Sequence, residues 1–106
     1  MLFVRKEYFE AIRGGTKTTT LRYWRRPVVR PGSTHSVRGL GRVRIESVEP
    51  MRLADLTEDH ARADGFDDLA ALHAALARHY PADKRDGRKL FLVRFELIRD
   101  DSPPKS

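Results

Sequence analysis

The run Gly15-Thr16-Lys17-Thr18-Thr19-Thr20-Leu21-Arg22 places an ammonium, a guanidinium and four hydroxyls in one short stretch. A lysine partly buried beside another cation loses proton affinity, and its neutral form can take the proton of a nearby hydroxyl. Lys17 and Thr20 are the pair that would do this, with Arg22 as the neighbouring cation. The same groups serve equally to grip a phosphate, since each offers hydrogen-bond donors. A third reading is a solvated, threonine-rich edge strand. Alternate residues of a strand share a face, so Lys17 and Thr19 point one way and Thr16, Thr18, Thr20 and Arg22 the other. Lys17 and Thr20 therefore converge only if the chain is still turning after Gly15, or bulges at the threonines.

Asp64 is the second chemical candidate. It stands just before Gly65, at the end of a short helical stretch, where the helix dipole disfavours a carboxylate by about 0.3–1 kcal/mol. A carboxylate held against that gradient can be there to face a lysine, or can be a plain exposed acid at a helix end. Tyr23-Trp24 followed by Arg25-Arg26 has the make-up of a base-stacking platform with adjoining cations. Trp24, the sole tryptophan, serves equally as a core anchor. His35, His60, His73 and His79 show no metal-ligand spacing, and without cysteine the expectation is no metal and no cofactor. No phosphate-binding glycine loop or nucleophile-elbow pattern is present.

These residues need elements to position them. Residues 2–4 read as a short apolar strand. Residues 6–13 read as a helix with Tyr8, Phe9 and Ile12 on one face, stopped by Gly14-Gly15. Residues 16–24 are β-branched and aromatic, hence a strand. Pro27, Pro31 and Gly32 mark a loop. Residues 34–37 and 41–48 read as two more strands, and Pro50 forces any continuation of the second to be bent or at an edge. Thr57 caps a short helix that begins with Glu58 and Asp59. A longer helix starts at Asp67 or Asp68 and runs to about Tyr80, with Leu69, Leu72, Leu76 and Tyr80 on one stripe. Residues 89–98 alternate as the last strand. The order β-α-β-β-β-α-α-β is no βαβ repeat, and it predicts an α+β fold with a mixed, mostly antiparallel sheet or open barrel and helices packed at one end. Residues 1–99 are expected to form a single domain, with residues 100–106 as a disordered tail.

The composition narrows the class. The chain has 106 residues, no cysteine and a formal net charge of +6. Disulfides and thiolate chemistry are thereby excluded, and a cytoplasmic location is the default expectation. No apolar run approaches the ~20 residues of a membrane span, and the N-terminus lacks the pattern of a signal peptide. Charge is uneven: residues 1–50 carry 11 Lys+Arg against 4 Asp+Glu. The excess is mainly arginine, which suits a polyanionic partner such as RNA. A GC-rich genome produces the same enrichment.

The set as a whole resembles the ASCH family. A short helix ending at Gly15, then Lys17, Thr20 and Arg22, resembles that family's Gly-x-Lys-x-x-x-x-Arg signature. The stretch Leu56-Thr57-Glu58-Asp59-His60-Ala61, then Asp64-Gly65-Phe66, Tyr80-Pro81 and the closing strand from Leu90 to Glu96, is similar to the family in the same order. The likeness spans residues 3–98. It implies a PUA-like β-barrel of five or six strands with two or three flanking helices, a cleft beside the helices and a role in RNA metabolism. The residues expected to hold single-stranded RNA or a modified nucleoside there are the basic and aromatic ones, Lys17, Arg22, Tyr23, Trp24, Arg25 and Arg26. The likeness implies further that the protein resembles small amidohydrolases that deacetylate N4-acetylcytidine. Carried over, their lysine, threonine and glutamate fall on Lys17 as base, Thr20 as nucleophile and Asp64 as proton relay, with aspartate standing where those enzymes have glutamate. Other members of the family are linked to single-stranded RNA cleavage. A monomer is expected.

Overall fold

The computed structural model describes residues 4–98. The expected strand at residues 2–4 falls mostly outside them, and Val4, which lies within, is not in a strand. The expected disordered tail at 100–106 also lies outside the described residues.

A 3-10 turn at Lys6–Tyr8 leads into α1 (Phe9–Arg13), which buries Phe9 and Ile12 and leaves Tyr8 half-buried. Gly15, at φ 84°, takes the left-handed conformation that ends the helix. Strands β1 (Thr19–Trp24), β2 (Thr34–Val37), β3 (Gly41–Met51) and β4 (Lys89–Ile98) form one antiparallel sheet in the order β1-β4-β3-β2. Between β3 and β4 come α2 (Glu58–Ala63) and α3 (Leu69–His79).

The sheet is a curled half-barrel of four strands among the described residues, fewer than the five or six expected. Its curl has a local cause, a shift of register on β3 between Ile45 and Ser47 where it pairs with β4. β3 runs on through Pro50, which is possible because β2 pairs only with Gly41–Arg44. The proline thus sits where β3 has β4 on one side and no β2 on the other, an edge that tolerates a missing N–H.

β4 is the central element and is buried on both faces over Leu90, Phe91, Leu92 and Val93. Val93 and Phe95 pack with Phe9, Ile12, Val43 and Ile45 on the α1 side. Leu90 and Leu92 pack with Leu21, Tyr23, Leu56, Leu72 and Leu76 on the α2–α3 side. Each such side chain contributes about 1.5–3 kcal/mol by leaving water. The two clusters fix α1 and α3 to opposite faces of the same strand.

Helix ends are set locally. Thr57 caps α2 by accepting from the His60 amide, while His60 Nδ1 accepts from the Thr57 amide at 2.9 Å. Asp68 caps α3 through the Ala71 amide at 2.8 Å. No helix among the described residues is long and apolar enough to cross a membrane.

Candidate functional site

The chain does keep turning after Gly15. Thr16 and Lys17 amides both bond the carbonyl of Ala11 in α1, at 2.9 and 3.1 Å, and the Thr18 amide bonds the Ala63 carbonyl at 2.7 Å. Lys17 and Asp64 thereby form an isolated antiparallel bridge outside the sheet. This backbone join brings the start of β1 against the end of α2. Asp64 is the C-cap residue of that helix.

Their side chains meet as well. Lys17 Nζ lies 3.3 Å from Asp64 Oδ2 and donates to the Asp64 carbonyl oxygen at 3.0 Å. Thr19 Oγ1 donates to Asp64 Oδ1 at 2.8 Å. The ammonium also sits 4.9 Å from the centre of the Tyr8 ring, a cation–π contact. Lys17, Thr19 and Asp64 are 3%, 1% and 5% exposed. An ion pair this dry is held by geometry at the expense of solvation. Burial pushes Lys17 below the ordinary lysine range even though Asp64 opposes the shift. Burial likewise pushes Asp64 above the ordinary carboxylate range, against the pull of Lys17 and Thr19. Asp67 is exposed and Asp68 is used as a helix cap, so the acid against Lys17 is Asp64.

Thr20 enters from the other side. It and Lys17 line one cavity with Asp64, Arg22, Arg5, Tyr8, Phe66, His79 and Tyr80. The space is about 30 Å³, enough for a water molecule or two and far below a nucleoside. The Tyr8 hydroxyl and His79 Nε2 are 3.0 Å apart, 71 residues apart in sequence, and join the segment before α1 to the end of α3 across this cavity.

The other expected contact residues are dispersed. Tyr23 is buried on the α3 side, 5.2 Å from the Tyr80 ring, with the Arg85 guanidinium over it. Trp24 faces the opposite side of the sheet, 6.0 Å from Phe91. The pair therefore forms no joint stacking platform, because neighbours on a strand point apart. Arg25 and Arg26 are exposed past the end of β1 and do not line the cavity. Arg25 lies over Gly87, where an added Cβ would fall 2.8 Å from its Nη1.

Thr19 is the residue that the motif reading overlooked, although strand alternation placed it on the face of Lys17. Tyr8 and His79 carried no local signal. No group of three or more His, Asp or Glu side chains capable of holding a metal occurs among the described residues.

Gly65 follows Asp64 at φ 91°, and a Cβ there would stand 3.2 Å from Lys17 Cβ. Gly65→Ala is expected to lose about 1–2 kcal/mol from the left-handed backbone alone. The melting temperature should fall by about 5–10 °C. An unchanged melting curve would show that the turn can rearrange without cost.

No family model matches this sequence, and no curated protein matches it. Solved structures do. An ASCH domain from Lactobacillus crispatus JV V101 is similar over 92% of this chain and 77% of its own, with TM-score 0.74 and 18% identity. The hypothetical protein PH0355 is similar over 90% and 94%, with TM-score 0.71 and 17% identity. Protein EF3133 from Enterococcus faecalis V583 follows over 87% and 70%, with TM-score 0.63 and 20% identity. At such identities the likeness rests on the course of the backbone, and by that measure this chain has the fold of an ASCH domain.

Proposed function

We propose that this protein holds RNA, as a single strand or a nucleoside-bearing piece of one, with one base presented to the cavity floored by Lys17, Thr20 and Asp64. The observation that carries this reading is the lining of that cavity. A buried ion pair and a hydroxyl line it together with the rings of Tyr8, Phe66 and Tyr80 and with Arg5 and Arg22. A base edge needs donors and acceptors, its faces need aromatic or apolar walls, and its backbone needs cations. Entry of a base requires the Tyr8–His79 contact to open. The chain's charge of +6 favours the encounter.

Binding of a labelled single-stranded oligoribonucleotide tests this. If Arg5, Arg22, Arg25 and Arg26 each neutralise one phosphate, affinity should fall about 50-fold between 50 and 200 mM salt. Lys17→Ala should abolish binding. A salt-insensitive affinity, or a Lys17→Ala protein that folds and binds normally, would remove the basis of the proposal.

A second reading has its own observation: a lysine whose proton affinity is lowered by burial shares a cavity with Thr20. Neutral Lys17 would take the Thr20 hydroxyl proton as that oxygen attacks the acyl carbonyl of an acylated exocyclic amine. The C–N bond then breaks, the proton passes to the leaving amine, and water releases the acyl group from Thr20. Asp64 would hold Lys17 in place. N4-acetylcytidine, followed by chromatography with Lys17→Ala as control, tests this directly.

A further inference from the structure

Strand β1 runs from the cavity to a second aromatic group. Thr20 and Arg22 line the cavity, and alternation puts Trp24 on their face of the strand. The register agrees, for Thr20, Arg22 and Trp24 stand opposite Val93, Phe91 and Lys89 of β4. Four residues of strand carry Trp24 about 13 Å from Thr20. There its ring packs against Phe91, with centres 6.0 Å apart and planes tilted by 33°. Trp24 nonetheless stays partly exposed, whereas its neighbour Tyr23 is buried. It is fixed by a ring contact and still open to solvent.

Cations gather at this end of the strand. Directly opposite residues of an antiparallel pair share a face, with Cβ atoms about 4.5–5.5 Å apart. Lys89 therefore stands beside Trp24. Gly87, at φ 71°, leaves room for the Arg25 guanidinium, whose Nη1 is 2.8 Å from where a Cβ would be. Segments 24–26 and 86–89 thus come together with Arg25, Arg26, Arg88 and Lys89, all exposed, against one acid, Asp86. No acid occurs in the sequence between Glu10 and Glu46, so β1 and the loop after it bring none. Asp55, which lines a surface depression with Lys89, is paired with Arg52 at 3.2 Å.

An open aromatic side chain with cations beside it suits an unpaired base and its phosphate. Distance decides whose base it is. A nucleoside seated on Lys17 and Thr20 stops short of a ring about 13 Å along the strand. Resting on the cleft reading above, we infer that Trp24, with Lys89 and Arg25, is a second base-stacking subsite. It takes a further nucleotide of the strand whose first base enters the cavity. The ligand is then a short run of single-stranded RNA, in preference to a free nucleoside.

Trp24 is the sole tryptophan, so intrinsic fluorescence reports on this position alone. The test titrates the intact protein with the four common nucleosides, followed by calorimetry, and with mixed-sequence oligoribonucleotides of two to six nucleotides. Nucleosides should leave the emission unchanged. Strands should quench it, with affinity climbing over the same range of lengths. Trp24→Leu should shrink the advantage of a hexanucleotide over a nucleoside about tenfold, as for the loss of one stacked base. That ratio is insensitive to any fraction of the variant that fails to fold. Lys89→Gln alters no packed side chain, and it should lower the salt slope of hexanucleotide binding by about 0.7, the share of one phosphate on a single strand. Lys17-dependent strand binding that leaves the emission and the Trp24→Leu ratio unchanged would overturn the subsite and keep the cleft reading intact. Quenching by a nucleoside alone would overturn it too, because the first base would then sit on Trp24. Strands that bind and quench equally well in Lys17→Ala would overturn the cleft reading, and with it the subsite as its continuation. Failure of every ligand would overturn both.

Discussion

Asp64→Ala is expected to cost about 3–5 kcal/mol of folding stability, because it strands the Lys17 ammonium in a site where its side chain is 2% exposed. It also removes the acceptor for the Thr19 hydroxyl. Replacing the whole set should behave differently. A Lys17→Met, Thr19→Val, Asp64→Leu protein removes both charges and the orphaned hydroxyl together, and it should regain most of that loss or exceed the parent. The directions of the two shifts say why. Asp64 is raised, so its contribution is full below the ordinary value of 3.8 and is lost as pH rises through its folded value. Lys17 is lowered, so its contribution is full above 10.5 and is lost as pH falls through its folded value. Between those limits the parent carries the whole desolvation cost of an ion pair. The advantage of the apolar triple should be largest near neutral pH and shrink toward both extremes, as read by urea denaturation across pH. If the triple is no more stable than Asp64→Ala, the pair is a net stabiliser whose attraction outweighs its desolvation. Retaining a costly pair is what a working site does, so the triple should also lose all ligand binding.

How far this site could be read from residues alone depends on the range of the contacts involved. Asp64 was legible because a carboxylate at a helix C-terminus is locally wrong, and local misfits point to outside partners. β4 and α3 were legible because each follows a single period for at least ten residues: β4 was expected at 89–98 and is found at Lys89–Ile98. Gly15 and Thr57 announced a stop and a start through their own chemistry. The strand number was not legible, since short β segments are told apart only by what pairs with them. The Tyr8–His79 contact was illegible for the same reason, because nothing near either residue depends on the other. Tyr23 and Trp24 were different. Adjacency in sequence suggested a pair, but the period of two already separated them, and the structure follows the period. Thr19 repeats the lesson: alternation set it beside Lys17, whereas the motif drew attention to Thr20.

Those two threonines should respond oppositely to the same substitution. Thr19→Val removes a hydrogen bond to a buried carboxylate, which costs about 1.5–3 kcal/mol. Its effect on the site should pass only through the position of Asp64. Thr20 makes none of the bonds that tie Lys17, Thr19 and Asp64 together, yet it lines the cavity. Thr20→Val is nearly isosteric and should change stability by less than about 1 kcal/mol. Its expected effect on function is larger, at least about tenfold in the affinity of a base-bearing ligand, from losing one hydrogen bond in a dry cavity. If the protein hydrolyses N4-acetylcytidine, turnover should vanish with Thr20→Val and survive, reduced, in Thr19→Val. Turnover that survives Thr20→Val would rule out a threonine nucleophile and leave Lys17 to act on water. Urea melts and ligand titrations on the same two proteins decide the matter. A stability loss concentrated in Thr19→Val and a functional loss greatest in Thr20→Val would place the two hydroxyls on opposite sides of one ion pair, one holding it and the other facing the ligand.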